Sequence, residues 1–340
     1  MHRHRKVVLT FLKLWLALLA VTNVSLYAAD SPAPAILAKD CPAQFTKFVP
    51  DTGNPVFTAG PAGTWDAKIR ERGWILKEGD MWHLWYTGYD GSREGIRRLG
   101  YASSHDGKTW TRSTDNPIVK DHWVEDMIVV PHQGTFYMFA EGRDDLAQLL
   151  TSKDGLHWER QGTLDIRYTD GRKLSPGPFG TPAAWHEGET WYLLYERRDK
   201  GVWLASSRDL KVWTHVQDEP VMVPGPSDYD EEMIAVNQVI LKDGVYYALY
   251  HGRGKATAAR PKPPWSSGLA VSRDRLHWAK CAANPLFPQA ENKSSGIFVW
   301  DGKRYLLYTM HDQVVRHIPA KDGEVSSPRP QSLPTTGTRP

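Results

Sequence analysis

The chain has 340 residues, of which 41% are hydrophobic and 24% charged, so it can bury a sizeable core and lacks the composition of a disordered protein. Its 28 glycines and 24 prolines indicate many turns and argue against a long helical bundle or a coiled coil. The formal net charge is +3, but residues 1–29 hold four basic side chains and no acid, so the remainder has 38 basic against 39 acidic residues. A nucleic-acid-binding function therefore loses its main support.

Residues 1–29 have the order of segments found in a secretory signal peptide. A basic start, Met1–Lys6, is followed by the largely apolar run Val7–Val21 and by the small-residue stretch Tyr27–Ala29. The apolar run is shorter than the ~20 residues that a membrane-spanning helix needs, so cleavage is expected rather than anchoring. These features predict a secreted or periplasmic protein that makes no membrane contact after cleavage.

Cys41 and Cys281 are the only cysteines in the sequence. An oxidising compartment permits a disulfide between them, although the sequence does not show whether they meet. Two cysteines are also too few for a zinc site built from cysteine.

A turn with the pattern Ser-x-Asp-x-x-x-Trp recurs along the chain. Its copies are Ser104–Trp110, Ser152–Trp158, Ser207–Trp213 and Ser272–Trp278, with a decayed copy at Lys321–Gly323. Ser and Asp side chains can hydrogen-bond their own backbone in such a turn. The Trp is expected to begin the next strand as an apolar plug.

Aromatic runs precede these turns and read as antiparallel strands. They are Trp82–Tyr86, Phe136–Ala140, Trp191–Tyr195, Tyr246–Tyr250 and Tyr305–Tyr308. Each repeat unit holds about four strands, and five such units predict an all-β fold, a five-bladed β-propeller of four-stranded blades. The propeller domain is predicted to span residues 30–323, and residues 324–340, rich in Pro, Ser and Thr, are predicted to be a disordered tail.

The fifth unit lacks a clear fourth strand. The segment Phe45–Phe48, followed by Asn54–Val56, has the pattern of the missing strand and its linker. We therefore expect an N-terminal strand to complete the last blade, which would close the ring and remove an exposed sheet edge.

Polar residues occur where the inner strand of each unit should begin. Asp66 and Asp230 each lie sixteen residues before an aromatic run, and Glu125 and Asp126 lie closer to theirs. Others near these places are Arg70, Glu71, Arg72, Thr181, Asn237, Gln238 and Lys293. A second set follows the aromatic runs: Glu141, Arg143, Glu196, Arg197, His251 and His311. Because the inner strands of a propeller converge on one axis, both sets are expected to line a polar central funnel and bind the substrate.

In its blade count, its Asp turns and its acid-first inner strands, the chain resembles the five-bladed β-propeller glycoside hydrolases, the superfamily that includes families 43, 32, 117 and 130. The resemblance covers most of residues 44–317. It implies two Asp and one Glu around the scissile bond, which by position are Asp66, Asp126 and the proton donor Glu196. The Asn-Asp-Pro and Arg-Asp-Pro signatures of the fructosidase branch are absent. Rivals for the catalytic roles are therefore Glu71, Glu125, Glu141, Asp230, Glu232 and His251.

Glycoside cleavage needs a proton on the leaving oxygen and a base or nucleophile at the anomeric carbon, which explains the need for paired carboxyl groups. A third carboxylate nearby would raise the pKa of the donor and keep it protonated near neutral pH. The sequence thus predicts an exported glycoside hydrolase acting on an oligosaccharide or polysaccharide. Two alternatives stay open: a carbohydrate-binding propeller without turnover, and a phosphorylase like those of family 130, whose Arg residues would bind phosphate.

No cofactor is expected to be required, because the sequence has no His-Glu-x-x-His metal motif and no phosphate-binding Gly loop after a strand. The resemblance leaves room for a single divalent cation in the central channel.

Overall fold

A computed structural model describes residues 41–287 and 295–321, except for the side chain of Glu71. The predicted signal peptide (1–29), the predicted tail (324–340) and Lys293 lie outside these residues. The described part is almost entirely β-structure, arranged as five small sheets. The predicted all-β fold, a five-bladed β-propeller, is confirmed.

The N-terminal segment contributes three short elements before the first complete blade. They are the helix α1 (Ala43–Thr46) and the strands β1 (Phe48–Pro50) and β2 (Phe57–Thr58). Blades one and two then follow directly along the chain. Blade one contains β3 (Lys68–Glu78), β4 (Met81–Tyr89), β5 (Arg98–Ser104) and β6 (Thr111–Arg112). Blade two contains β7 (Glu125–His132), β8 (Thr135–Glu141), β9 (Ala147–Ser152) and β10 (Trp158–Thr163), with a 3-10 turn at Arg143–Asp145.

Blade three has an added edge strand, which pairs in parallel with the last strand of the blade. It contains β11 (Asp165–Arg167), β12 (Gly180–Glu187), β13 (Thr190–Glu196), β14 (Val202–Ser207) and β15 (Val212–His215). Blade four contains β16 (Met233–Lys242), β17 (Val245–Arg253), β18 (Trp265–Ser272) and β19 (Ala279–Lys280). Blade five contains β20 (Ile297–Trp300), β21 (Tyr305–Met310) and β22 (Gln313–Pro319).

The ring is closed by the N-terminal segment. Strand β1 pairs antiparallel with β22, with Phe48 opposite Pro319, so it supplies the predicted fourth strand of blade five. The strand begins later than predicted, because Phe45 lies in α1 instead. The Phe45 ring is buried and lies 4.6 Å from the ring of Tyr247 in blade four and 5.0 Å from that of Phe298 in blade five. This segment therefore joins the last two blades as well as completing one of them.

A disulfide fixes the same junction. Cys41, just before α1, is bonded to Cys281, just after β19 of blade four. The two residues are 240 positions apart, so the bond constrains a long loop of the unfolded chain. The pairing that the sequence left open is present.

The repeated turns form through their own side chains, as predicted. In the first copy, the Ser104 hydroxyl accepts the Gly107 amide at 2.9 Å, and the Asp106 carboxylate accepts the amides of Lys108 and Thr109 at 2.7 Å. The same pattern is present in the other three copies. The turn of blade two also contacts blade one, because the Trp85 indole of blade one donates to the Gly155 carbonyl of that turn at 2.7 Å.

In each blade, the first strand of the antiparallel part of the sheet is the innermost, which is β12 in blade three. These strands contact one another in sequence around the axis: β3, β7, β12, β16 and β20, which returns to β3. The beginnings of the inner strands are therefore brought together from residues far apart in the sequence. No helix among the described residues has the length and apolar character needed to cross a membrane.

Candidate active site

Bulges at the start of the inner strands shape the centre of the propeller. The pairing of β7 with β8 shifts register between Glu125 and Ile128, and that of β12 with β13 shifts between Gly180 and Ala183. Asp126 lies in the first bulge with φ of 47°, a left-handed conformation that non-glycine residues rarely adopt. Bulges of this kind redirect side chains next to active sites, and strain of this kind clusters there.

The strand next to the innermost one in each blade has a buried polar residue at or near its end. The five residues are Thr87, Glu141, Glu196, His251 and Thr309. Glu141 and Glu196 come from the adjacent blades two and three, and they are only 7% and 4% exposed. Two buried glutamates thus face the start of the same inner strand, β12.

Backbone amides of β12 hold both glutamates. The Thr181 amide donates to Glu141 Oε2 at 2.8 Å, and the Gly180 amide donates to Glu196 Oε1 at 3.1 Å. A Cβ atom on Gly180 would collide with Glu141 Oε2 and would lie 2.8 Å from Glu196 Oε1. Gly180 therefore lies between the two carboxyl groups, and only glycine leaves room for both.

Glu125 lies opposite Glu141 in the ladder of blade two. Its Oε1 accepts the Trp123 indole at 2.7 Å, and its Oε2 lies 2.7 Å from Arg70 Nε in an ion pair. Arg70 thus offsets part of the negative charge at the centre. Both oxygens of Glu125 are engaged, which favours a supporting role for this residue.

Two further acids, Asp145 and Asp199, were not predicted from the sequence. Each lies in the loop that follows a central glutamate, in a left-handed backbone conformation with φ of 54° and 55°. The Asp199 amide donates to Glu196 Oε2 at 2.5 Å, and a carboxylate oxygen of Asp145 lies within 4.8 Å of oxygens of Glu125 and Glu141. The sequence did contain a signal for these two acids. Asp145 follows Glu141 by four residues, and Asp199 follows Glu196 by three.

Burial and mutual repulsion raise the pKa values of this cluster. Burial raises the pKa of Glu141 well above its ordinary value, and the charges of Asp126, Glu125 and Asp145 add to that effect. Burial, followed by the charge of Asp199, raises the pKa of Glu196 to about 7. The pKa of Asp199 is raised to about 6, first by burial and then by Asp126 and Asp145. At neutral pH the centre therefore holds protonated and ionised carboxyl groups side by side.

These shifts predict a pH-dependent stability. Glu196 has a pKa of about 7 when folded against an ordinary value of 4.5, so between those values the folded state binds more protons than the unfolded state. The free energy of unfolding should therefore fall as pH rises from 5 to 7.5, by roughly 2 kcal/mol for this group. Urea unfolding at a series of pH values measures the slope. The Glu196→Gln variant, which cannot ionise, should show a shallower slope, and an unchanged slope would contradict the assignment.

Arg72 was predicted to bind substrate, and that prediction is wrong. Its side chain is fully buried, and its guanidinium donates to the carbonyl oxygens of Asn237 at 2.9 Å and Pro182 at 2.8 Å, and also to those of Asp126 and Val236. These carbonyl groups belong to blades two, three and four. Arg72 is thus a crosslink of four blades at the axis, where burial lowers its pKa only to about 10 and leaves it charged at neutral pH.

Asp66, predicted to be catalytic, has a structural role instead. Its carboxylate accepts the Tyr86 hydroxyl and the Arg112 Nε, both at 3.0 Å, and Arg112 lies in the outermost strand of blade one. Asp230, predicted to bind substrate, repeats this arrangement in blade four with Lys280 at 2.6 Å. Each acid lies before the inner strand of its blade and binds a basic residue in the outermost strand of the same blade. Neither acid belongs to the central cluster.

Two residues predicted to bind substrate, Gln238 and Asn237, join blades four and five, and a third, His251, contacts one of them. The Gln238 side chain donates to the Phe298 carbonyl at 3.0 Å and accepts the Phe298 amide at 2.7 Å. Asn237 donates to the Gly296 carbonyl at 3.2 Å, and its oxygen lies 2.7 Å from His251 Nδ1. Burial lowers the pKa of His251 to about 3, which favours the neutral imidazole.

The remaining predicted residues lie at the margin of the cluster. The exposed guanidinium of Arg143 lies 5.2 Å from the Trp123 ring centroid, whereas Arg197 donates to Ser175 at 3.3 Å. Burial lowers the pKa of the half-buried His311, and Asp126 lies close enough to raise it in part. The side chain of Glu71, which was predicted to bind substrate, lies outside the described part of the structure.

Within the described residues, one group of acids has the spacing of a cation site. Oxygens of Glu125, Glu141 and Asp145 lie within 4.8 Å of one another, and oxygen ligands suit Ca²⁺ or Mg²⁺. The group fits a resident cation poorly, however, because Arg70 and the Trp123 indole already occupy both oxygens of Glu125. No catalytic step is assigned to a metal here.

No protein-family model matches the chain. Over 170 residues its sequence is 29% identical to a 1,2-β-oligomannan phosphorylase from Thermoanaerobacter sp., a match that covers 46% of this chain and 53% of that enzyme. The chain thus spans about half the length of that relative. A sucrose-6-phosphate hydrolase from Escherichia coli is 24% identical over 192 residues, covering 48% of this chain and 37% of the enzyme.

Solved structures match over nearly their whole length. A glycosyl hydrolase from Bacteroides ovatus superposes with a TM-score of 0.69 and 16% identity, covering 84% of this chain and 98% of the other. A β-1,2-mannobiose phosphorylase from Listeria innocua gives a TM-score of 0.62 and 15% identity, covering 80% and 96%. The chain therefore has the five-bladed β-propeller fold of these glycoside-processing enzymes, as the resemblance in its sequence implied.

Proposed function

We propose that this protein is an exported glycoside hydrolase that cleaves a glycosidic bond of an oligosaccharide or polysaccharide. One observation carries the proposal. The buried acids Asp126, Glu141 and Glu196 come from the start of β7 and from the ends of β8 and β13, in a fold shared with glycosyl hydrolases. Burial and like charge raise the pKa values of Glu141 and Glu196, as the proton donor of glycoside cleavage requires.

Asp126 and Glu141 are the best candidates for the reacting pair. Among the described residues, Asp126 accepts one hydrogen bond, from the Arg72 amide at 3.2 Å, and Glu141 accepts hydrogen bonds at Oε2 only. Each therefore keeps one oxygen for the substrate, whereas both oxygens of Glu196 accept amides. Glu141, with its raised pKa, would give the proton to the leaving oxygen. Asp126 would act on the anomeric carbon or on the attacking water.

Hydrolysis is favoured over phosphorolysis by the charge of the centre. Asp145 and Asp199 add further negative charge beside the three buried acids, and this would repel the phosphate that a phosphorylase must bind. Arg72, a cation at the axis, is committed to backbone carbonyl groups. Phosphorolysis stays the second candidate, because the relative at 29% identity is a phosphorylase.

Export is supported by the leader-like order of residues 1–29 and by the disulfide between Cys41 and Cys281. Disulfides persist in oxidising compartments and are rare in the cytosol.

The test is a substrate screen run with and without phosphate. Two similar proteins are a 1,2-β-oligomannan phosphorylase and a β-1,2-mannobiose phosphorylase. The screen therefore begins with β-1,2-linked manno-oligosaccharides and continues with other oligosaccharides and aryl glycosides. We expect release of free reducing sugar in phosphate-free buffer, with no acceleration when phosphate is added. Formation of a sugar 1-phosphate would show a phosphorylase instead. Sugar binding without turnover across the whole panel would identify a binding protein.

A further inference from the structure

A second cavity lies at the periphery of the propeller, between the outer strands of blade two and the turn of blade three that follows β14. Its volume is about 620 Å³, within the range of ligand sites. Its lining includes Thr135, Tyr137, Thr151 and Lys153 from blade two and Lys211 from blade three. None of the central acids lines this cavity, which we call the interblade cleft.

The interblade cleft combines hydroxyl groups with an aliphatic floor. The hydroxyls are those of Thr135, Tyr137, Thr151 and Thr163, and the floor is made of Leu149, Leu164 and Leu210. The Tyr137 ring is half-buried and is fixed by the Trp191 ring at 5.0 Å, so it offers a positioned aromatic surface. Sugar rings have both hydroxyl groups and apolar faces, and such a lining matches both.

Two lysines give the interblade cleft a positive charge. Lys153 Nζ donates to the Thr135 hydroxyl at 2.6 Å, and within the described residues neither Lys153 nor Lys211 forms a salt bridge with a carboxylate. The lining contains one acid, Asp209, whose Oδ1 accepts the Lys211 amide at 2.9 Å and the Ser207 hydroxyl at 3.1 Å, so the two lysines outnumber it. The two lysines come from neighbouring blades, and an anionic ligand in the cleft would be attracted to both ammonium groups.

We propose that the interblade cleft is a binding site for an acidic oligosaccharide, one whose sugar units carry carboxylate or sulfate groups. The site is separate from the central acids and does not depend on the reaction proposed for them. The hydroxyls and Tyr137 would bind the sugar ring, and Lys153 and Lys211 would bind its anionic group.

Binding would be measured by isothermal titration calorimetry with three tetrasaccharides: tetragalacturonate, a sulfated galactotetraose and uncharged galactotetraose. We expect at least one acidic probe to bind at least tenfold more tightly than the uncharged one, with an affinity that falls as salt is added. Binding of only one acidic probe supports the proposal and identifies the group recognised. Equal affinities for all three probes would overturn it.

Two variants locate the site. Lys153→Ala combined with Lys211→Ala changes two exposed side chains and should lower the affinity for the acidic probe at least tenfold. Asp126→Asn should leave that affinity unchanged, because Asp126 does not line the cleft. Retained affinity in the double lysine variant, or loss of binding in Asp126→Asn, would overturn the proposal. Turnover of small glycosides should be unaffected by the lysine changes, so a failure here is distinguishable from a failure of the proposed reaction.

Discussion

Replacing Asp126 by asparagine is expected to lower kcat/KM for glycoside cleavage by about 10³-fold, in the range typical of losing a positioned acid or base. Asparagine keeps an oxygen that can accept the Arg72 amide, so the bulge at the start of β7 should be retained. The change removes only the ionisable oxygen. Steady-state kinetics on the best substrate from the screen, with thermal unfolding measured in parallel, gives the result.

The matched control is Asp66→Asn, an identical change at the acid that binds Tyr86 and Arg112. This variant should be less stable, because its ion pair with Arg112 is lost, but the folded protein should keep its turnover within about threefold. Full activity in Asp126→Asn, or loss of activity in well-folded Asp66→Asn, would reverse the roles assigned to the two aspartates.

Replacing Gly180 by alanine is expected to lower kcat by about 10²-fold, the cost typical of displacing catalytic groups by about 1 Å. The added methyl group would push against the carboxyl groups of both Glu141 and Glu196 without removing either. Because their amide hydrogen bonds would be disturbed as well, the pH profile of kcat should shift along with its magnitude.

Gly296→Ala provides the comparison for this variant. Gly296 lies just before the inner strand of blade five, and its added methyl group would meet Leu249 at 3.2 Å instead of a carboxylate. The variant should keep its kcat and its pH profile. Equal losses in the two glycine variants would show that general damage to the propeller, rather than movement of the glutamates, lowers the activity.

The sequence predicted the architecture well, because its evidence is local and repeated. Each Ser-x-Asp turn is built from hydrogen bonds within a few residues, so the pattern around Ser104 or Ser152 is readable without the fold. Asn116 is a partial exception. Its side chain pairs with both backbone groups of Tyr101 at 2.8 Å, and the sequence showed only the Asn-Pro dipeptide.

The site was harder to predict, because the role of an acid depends on partners that the chain brings from elsewhere. Asp66 and Asp126 are both aspartates near the start of an inner strand. The charge of Asp66, however, is paired with that of Arg112, which lies 46 residues further along the chain. Asp199 was missed because a left-handed turn returns it to Glu196. The part assigned to Asp126 in the reaction stays a prediction.

The closure of the last blade by β1 sets an order for assembly. Strand β1 comes first among the described strands and pairs with β22, which comes last, so the ring cannot be completed until β22 has been made. Under the export that we propose, the polypeptide would cross the membrane with this ring still open. The Cys41–Cys281 bond would then form in an oxidising compartment and link the N-terminal segment to blade four.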